Sequence, residues 1–233
     1  MSYKSYAVVP AAGIGRRMGS DIPKQYLRLQ GKTVIEQTLA RLLDVDEIEK
    51  IVVVVADHDD IWPSLKVSQH AKIITAPGGD ERCHSVLNGL EKLVEVANAD
   101  SWVLVHDAAR PCVRVADVNY MFSVLGEHPV GGILAAPVRD TLKRAGSDGA
   151  IAETVDRSQL WQAFTPQMFR LGMLIDALQA AVNAEVLVTD ESQAIERQGH
   201  HPVLVEGHTD NLKITRAEDL SLAALYLKHQ LSD

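Results

Sequence analysis

Short apolar segments alternate along the chain with longer segments in which apolar residues recur every three or four positions. The apolar segments predict buried strands at Ala7–Pro10, Ile51–Ala56, Lys72–Thr75, Trp102–His106 and Gly132–Val138. A further, late strand is predicted at 203–206. The helical spacing predicts helices near 34–43, 84–97, 115–125, 170–183, 190–198 and 217–230. Because strands and helices alternate, we predict an α/β fold with a mostly parallel sheet flanked by helices.

The segment 139–160 departs from this alternation. It is polar, it contains Gly146-Ser-Asp-Gly149, and its flanks Thr141–Lys143 and Ile151–Val155 resemble short strands. This pattern predicts a protruding β-hairpin arm. The arm has too few apolar residues to pack alone, so we expect it to dock on another surface, such as a second subunit. We expect residues 1–233 to form a single domain that carries this arm.

Composition narrows the class of protein. The chain has 233 residues, of which 46% are hydrophobic and 23% charged, which excludes a fibrous or globally disordered protein. The longest apolar run, Ile51–Ala56, is far shorter than the roughly 18 residues of a membrane helix. The N-terminal residues lack the pattern of a secretory or transit segment, so we expect a cytoplasmic protein without a membrane partner. Cys83 and Cys112 are too few for a disulfide framework or a four-thiolate zinc site.

The charge is unevenly distributed. The net charge of −8 argues against nucleic acid as a partner. Residues 1–32, however, contain six Lys or Arg and one Asp, whereas the remaining 201 residues contain 17 Lys or Arg and 30 Asp or Glu. A basic N-terminal segment on an acidic protein indicates a small polyanion as ligand.

The first predicted strand runs into a glycine-rich loop, Pro10-Ala-Ala-Gly-Ile-Gly-Arg-Arg-Met-Gly19. Small residues after a strand let backbone N–H groups approach a phosphate closely. The glycine spacing is one residue too long for the dinucleotide-binding fingerprint, and the loop lacks the Gly-Lys-Ser/Thr ending of a Walker A loop. Two guanidinium groups followed by Pro23-Lys24-Gln25 suit a triphosphate.

The chain resembles the 2-C-methyl-D-erythritol 4-phosphate cytidylyltransferases over essentially its whole length. Besides the glycine-rich loop and Pro23-Lys-Gln-Tyr26, the matching blocks are Gly78-Gly-Asp-Glu-Arg82, Val105-His-Asp-Ala-Ala-Arg-Pro111, Ala136-Pro-Val-Arg-Asp-Thr141, Thr154-Val-Asp-Arg157, Thr165-Pro-Gln167, Thr189-Asp-Glu191 and Asp210-Asn-x-Lys213-x-Thr215. The resemblance implies a Rossmann-like nucleotidyltransferase fold, a homodimer and a reaction that depends on Mg²⁺ or another divalent cation. It also implies that CTP and methylerythritol phosphate are converted to the cytidine diphosphate alcohol and pyrophosphate in non-mevalonate isoprenoid synthesis.

The resemblance also implies residue roles. Arg17 and Lys24 would stabilise the pentacoordinate phosphorus, and Arg157 and Lys213 would place the attacking phosphate. The nucleotide would be bound by Pro10, Ala11, Ala12, Gly13, Gly15, Arg16, Gly79, Asp80 and Ser85. The alcohol phosphate would be bound by Asp107, Arg110, Thr141, Arg157 and Thr165. Because a phosphate monoester is already mostly a dianion at neutral pH, we expect positioning and positive charge, rather than a general base, to carry the catalysis.

The family's dimer implies a site shared between two chains. In this arrangement one chain contributes Asp107, Arg110 and Thr141, and the other contributes Arg157, Thr165 and Lys213. We expect Mg²⁺ to be held mainly by the phosphates of CTP and by water, with Asp107 as a possible ligand.

Several alternatives remain open from the sequence. The segment 79–82 is also typical of a helix start, and Asp107 with Arg110 could simply be an ion pair that holds a loop. His106 is predicted to be a structural residue rather than a base. At the level of function, a ribitol 5-phosphate cytidylyltransferase and an inactive nucleotide-binding regulator are the alternatives.

Overall fold

The computed structural model describes residues 4–13 and 22–230. Its strands are β1 Ser5–Pro10, β2 Arg28–Leu29, β3 Lys32–Thr33, β4 Ile48–Val55, β5 Ile73–Pro77, β6 Trp102–Val105, β7 Gly131–Pro137, β8 Leu142–Ala145, β9 Ile151–Val155, β10 Trp161–Arg170 and β11 Val203–Glu206. Its α-helices are α1 Val34–Leu43, α2 Arg82–Leu93, α3 Val115–Leu125, α4 Leu171–Asn183, α5 Glu191–Arg197 and α6 Ala217–Gln230. Short 3-10 helices span Lys24–Tyr26, Trp62–Ser64 and Lys66–Gln69.

Seven strands form the central sheet in the order β11-β7-β10-β6-β1-β4-β5. All neighbouring pairs are parallel except those of β10, which is antiparallel to both β6 and β7. The predicted mostly parallel α/β sheet is therefore confirmed. In such a sheet the carboxyl ends of the parallel strands meet at one edge, where ligands bind.

Helices cover both faces of the sheet. Successive side chains of β1 point to opposite faces, so Ala7 and Val9 pack in one core cluster while Val8 packs in the other. The first cluster includes side chains of α1 and α3, such as Leu39, and the second includes side chains of α2, α4 and α5, such as Leu90. Burial on both faces explains why these strands are continuous apolar runs rather than alternating ones.

Strand β10 was not predicted. No strand or helix was predicted for residues 161–169. The helix predicted from residue 170 corresponds to α4, which begins at Leu171. The strand contains Pro166 and carries buried polar side chains, Thr165 and Gln167, which conceal the pattern of a core strand. The helix predicted at 84–97 spans Arg82–Leu93 in the structure.

The predicted hairpin arm is present as the antiparallel pair β8–β9. Most of its side chains are exposed to solvent within this chain. A two-stranded hairpin has little stability of its own in water. Within the described residues, no helix is long and apolar enough to span a membrane.

Candidate functional site

A cavity of about 580 Å³ lies where β1, β5 and β6 end. The segments that follow these strands line it, and Lys24, Gln25 and Lys213 complete the wall. Cavities of this size suit small-molecule ligands. The predicted nucleotide-binding residues that line it are Pro10, Ala11, Ala12, Gly13, Gly79, Asp80 and Ser85. Gly15, Arg16 and Arg17, which were predicted alongside them, lie outside the described residues.

Two hydrogen bonds fix the turn that follows β1. The Ala11 N–H donates to the Val54 carbonyl at 2.7 Å, which extends the strand pairing by one residue. The buried Gln25 side chain donates its Nε2 to the Ala11 carbonyl, also at 2.7 Å. Gln25 therefore ties the segment that carries Lys24 to the turn that lines the nucleotide side of the cavity.

The turn that follows β5 packs tightly against this first turn. A Cβ atom on Gly78 would lie 2.5 Å from Ala12 Cβ and 3.2 Å from the Val55 carbonyl oxygen, so only glycine fits there. The next residue, Gly79, donates its N–H to Ser85 Oγ at 3.0 Å. Because Ser85 lies in the first turn of α2, this bond helps to hold the loop on the helix N-terminus.

Lys24 and Lys213 converge on the cavity from distant parts of the sequence. Lys24 Nζ donates to the carbonyl of Ile214, the residue that follows Lys213, at 3.2 Å. The Ile214 N–H in turn donates to the Ala109 carbonyl at 2.8 Å, which docks this loop on the end of β6. The two lysines that were predicted to contact different phosphates therefore lie at one wall of the same cavity.

Asp107 lies at the centre of an ion-pair network. Its Oδ1 accepts from Arg82 Nε and Nη2, both at 3.2 Å. Its Oδ2 lies 2.8 Å from Lys213 Nζ and 3.6 Å from Arg110 Nε. Burial by itself would raise the pKa of Asp107, but the positive charges of Arg82 and Lys213 outweigh it and hold the pKa well below its usual range. Asp107 is therefore ionised.

The network corrects the predicted division of the site between two chains. We expected Asp107 and Arg110 to meet Thr165 and Lys213 of a partner. In the structure Lys213 pairs with Asp107 of its own chain, and Thr165 Oγ1 accepts from the Asp107 N–H at 3.1 Å. The reason is β10, which pairs directly with β6 and so brings Thr165 beside the strand end that carries Asp107.

His106 is fully buried behind this network. Its Nε2 lies 3.0 Å from the Arg110 carbonyl, which can only accept, so Nε2 carries the proton. Its Nδ1 then accepts from the Thr165 hydroxyl at 3.0 Å. Burial lowers the pKa of His106 from 6.5 to about 4. A neutral histidine whose two nitrogens are both occupied fits the structural role predicted for it rather than that of a base.

Arg110 is also mostly buried. Its Nη1 donates to the Asn211 carbonyl at 2.7 Å, and its guanidinium lies 5.2 Å from the centre of the Phe164 ring. Its Nε is buried without a hydrogen-bond partner, because 3.6 Å to Asp107 is too long for one. Burial lowers the pKa of Arg110, although its guanidinium stays charged.

The arm residues do not reach this cavity within the chain. Thr141 precedes β8 and Arg157 follows β9, and both are exposed. Neither lines the cavity. Of the remaining residues predicted for the alcohol-phosphate site, Asp107 lines the cavity, whereas Arg110 and Thr165 contact Asp107 without lining it.

The sequence model of the 2-C-methyl-D-erythritol 4-phosphate cytidylyltransferases matches residues 5–229. The chain belongs to this family. A protein of that name from Pseudomonas entomophila (strain L48) is 56% identical over 216 residues, which is 92% of each chain. One from Pseudomonas aeruginosa (strain PAO1) is 53% identical over 216 residues, again 92% of each chain.

Solved structures of family members superpose closely on this chain. A crystal structure of a 4-diphosphocytidyl-2C-methyl-D-erythritol synthase has a TM-score of 0.85 at 38% identity, covering 97% of this chain and 100% of the other. The Francisella tularensis 2-C-methyl-D-erythritol 4-phosphate cytidylyltransferase has a TM-score of 0.83 at 37% identity, covering 95% and 99%. The predicted nucleotidyltransferase fold is confirmed over nearly the whole chain.

The resemblance implied a reaction that depends on Mg²⁺ or another divalent cation, so the residues at the site are compared with the ligands that such an ion needs. Among the described residues, no group of three or more His, Cys, Asp or Glu side chains could hold one. Both carboxylate oxygens of Asp107 already contact cationic groups, which argues against the direct Mg²⁺ contact that the sequence left open. The carboxylates that line the cavity besides Asp107 are Asp80 and Glu81. This donor set suits an ion that is bound chiefly through substrate phosphates.

The sequence analysis missed three side chains that organise the site. Arg82 and Glu191 stand within matching blocks but received no role, yet Arg82 Nη1 donates to Glu191 Oε1 at 2.7 Å. Gln167 likewise received no role, although it bonds the start of α5. The signal for all three was their place within blocks that match the family, but with no element predicted for 161–169 their contacts could not be located.

Proposed function

We propose that this protein transfers the cytidylyl group of CTP to 2-C-methyl-D-erythritol 4-phosphate and releases pyrophosphate. A phosphate oxygen of the alcohol phosphate attacks the α-phosphorus of CTP in line, a new P–O bond forms, and the bond from the α-phosphorus to the bridging oxygen breaks. The substrate phosphate needs no base, since it is mostly a dianion at neutral pH. The observation that carries the proposal is the cavity in which Lys24 and Lys213 share a wall with the glycine-rich turns.

The barrier to this reaction is electrostatic, because an anion must approach a triphosphate. Lys24 contacts the transferring phosphoryl group and Lys213 holds the attacking phosphate. A unit charge at about 4 Å contributes up to about 4 kcal/mol at an effective dielectric constant near 20. About 2.7 kcal/mol of this upper value corresponds to ~100-fold in rate. Arg16 and Arg17 join Lys24 around the triphosphate in this proposal.

Cytidine is recognised at the two turns that Gly78 brings together. Backbone carbonyls at such turns accept from the exocyclic amine of cytosine, and Ser85 or a backbone N–H donates to its carbonyl. Mg²⁺, or another divalent cation, would be held mainly by the phosphates of CTP and by water, and it would neutralise part of the phosphate charge.

The active form in this proposal is a homodimer. The exposed arm supports it, because β8 and β9 bury little surface within one chain. Docking of the arm on a second copy brings Arg157 to the partner's cavity, beside Asp107, Arg110 and Thr165. Thr141 lies on the same arm and does not line the cavity of its own chain, so in this proposal it accompanies Arg157 rather than Asp107, unlike the division that the resemblance implied. We further propose that the enzyme works in the cytoplasm, where CTP is made.

A substrate matrix tests the reaction. Pyrophosphate release is measured with each of the four nucleoside triphosphates and with methylerythritol phosphate or ribitol 5-phosphate as acceptor. We expect turnover with CTP and methylerythritol phosphate. Turnover with ribitol 5-phosphate alone would replace the proposed acceptor, and calorimetric CTP binding without any turnover would indicate a nucleotide-binding regulator.

Deletion of the arm tests the dimer. A chain in which 140–157 is replaced by a short glycine linker should keep its fold and its affinity for CTP, since most side chains of the arm are exposed and none of them lines the cavity. It should sediment as a monomer and lose turnover. A folded monomer with full activity would contradict the shared site.

A further inference from the structure

A chain of four alternating charges crosses the site. It runs from Glu191 through Arg82 and Asp107 to Lys213, with contacts of 2.7, 3.2 and 2.8 Å. We propose that Arg82, anchored by Glu191, is a positioning residue that acts through Asp107 to hold the Lys213 ammonium where the acceptor phosphate binds. The inference deepens the proposed function and rests on it.

Glu191 is a rigid anchor. It is the first residue of α5 and is completely buried. The residues on either side of it are both held by Gln167, which donates Nε2 to Asp190 Oδ2 at 3.0 Å and accepts from the Ser192 N–H at 2.8 Å. Because Gln167 lies on β10 in the middle of the sheet, the position of Glu191 is set by the core.

Arg82 transmits this position to Asp107. Its Nη1 and Nη2 make a bidentate pair with Glu191, at 2.7 and 3.1 Å, while its Nε and Nη2 both reach Asp107 Oδ1. Only a guanidinium offers donors in this planar arrangement, so lysine could not hold both carboxylates in the same way. Burial disfavours the charged guanidinium, but Glu191 and Asp107 more than offset it and raise the pKa of Arg82.

The two carboxylate oxygens of Asp107 contact different cations. Arg82 takes Oδ1, and the Asp107 N–H is held by Thr165, so Oδ2 is directed towards Lys213. The Lys213 side chain is 39% exposed, so this contact is its main restraint on the side facing the cavity. A flexible lysine side chain has many rotamers, and contact with a fixed carboxylate restricts them before substrate arrives.

The ion-pair network by itself carries an excess of positive charge. The two carboxylates, Asp107 and Glu191, are surrounded by three cations, Arg82, Arg110 and Lys213, which leaves an excess of one positive charge. Removal of Arg82 alone would leave the buried Glu191 without a partner and could unfold the protein. Replacing Arg82 and Glu191 together by glutamine removes the anchor and keeps the charge balance.

The experiment compares the double variant Arg82→Gln/Glu191→Gln with the wild type, each with Lys213 intact and with Lys213→Ala. With Lys213 present, we expect the KM for methylerythritol phosphate to rise about tenfold or more and the KM for CTP to change by less than about threefold. With Lys213→Ala, the double substitution should have almost no further effect, because its influence passes through that lysine. Equal losses in both backgrounds, or equal effects on both substrates, would overturn the inference.

Two controls separate this outcome from other causes. Lys92→Gln removes an exposed ion pair, Lys92–Glu95, from the far end of the same helix and should leave both KM values unchanged. A crystal structure of the double variant gives a readout that does not depend on turnover. In it the distance between Lys213 Nζ and Asp107 Oδ2 should exceed about 4 Å, the limit of an ion pair. An unchanged distance of 2.8 Å would refute the positioning role even if the wild type acted on another acceptor.

Discussion

Burial of His106 should make the stability of this protein fall in mild acid. The folded state keeps the imidazole neutral with a pKa of about 4, whereas an unfolded chain titrates near 6.5. Between these two values the unfolded state binds a proton at His106 that the folded state does not bind. Stability from this residue is therefore fully present above pH 6.5 and is lost as the pH falls towards 4.

The size of the effect follows from the two pKa values. One pKa unit corresponds to 1.36 kcal/mol, so lowering the pH from 7.5 to 5.0 should remove about 2 kcal/mol of unfolding free energy through His106 alone. His106→Gln keeps a donor for the Arg110 carbonyl and cannot titrate. The variant should start less stable at pH 7.5, because Thr165 loses its acceptor, and should lose about 2 kcal/mol less than the wild type on acidification.

Urea unfolding at both pH values measures this difference. The protomer concentration is held constant, since the stability of an oligomer depends on it. The remaining histidines and the carboxylates are common to both proteins, so their contribution cancels when the two pH dependences are subtracted. Parallel pH dependences for the wild type and His106→Gln would refute the reasoning that burial holds this imidazole neutral.

Three further predictions concern the cavity and its support. Lys24→Ala should lower kcat by about 100-fold, as measured by pyrophosphate release, because a charge on the transferring phosphoryl group is lost; wild-type turnover would exclude the role. Lys213→Ala should mainly raise the KM for the alcohol phosphate, and an unchanged kcat/KM for that substrate would contradict the assignment. Gly89→Ala would put a Cβ 2.6 Å from Val8 Cγ1 and 2.8 Å from Val54 Cγ2. The unfolding free energy should fall by about 1–2 kcal/mol, since overpacking outweighs the gain in helix propensity, while Lys92→Ala on the same helix should have little effect.

The sequence predicted local features of the fold well because their signals are local. Apolar runs identified the parallel strands, and the boundaries of α1 at 34–43 were predicted correctly because Thr33 and Glu36 form a capping box at its start. The hairpin arm was likewise visible as a polar break in the alternation. The glycine-rich loop was predicted to bind phosphate because small residues after a strand let backbone N–H groups approach a phosphate closely, and because two arginines and a lysine follow.

The partners within the site could not be predicted in this way. Arg82 and Glu191 are 109 positions apart, and nothing in the spacing of either block indicates that they touch. Their contact depends on β10 lying between β6 and β7, a pairing that is decided by tertiary packing rather than by local sequence. The assignment of Thr165 and Lys213 to a partner chain, which the resemblance implied, was wrong because both contact Asp107 of their own chain.

The antiparallel strand therefore explains why the site has its present geometry. At one position on β10, Thr165 fixes both the Asp107 backbone and the His106 ring, and two residues later Gln167 fixes the loop that carries Glu191. The charged groups that face the cavity are thus held from behind by neutral hydrogen bonds within the core. Such an arrangement fixes cations before a substrate arrives, and fixed charge is what a reaction between two phosphates requires, because no reorganisation is then needed as charge develops.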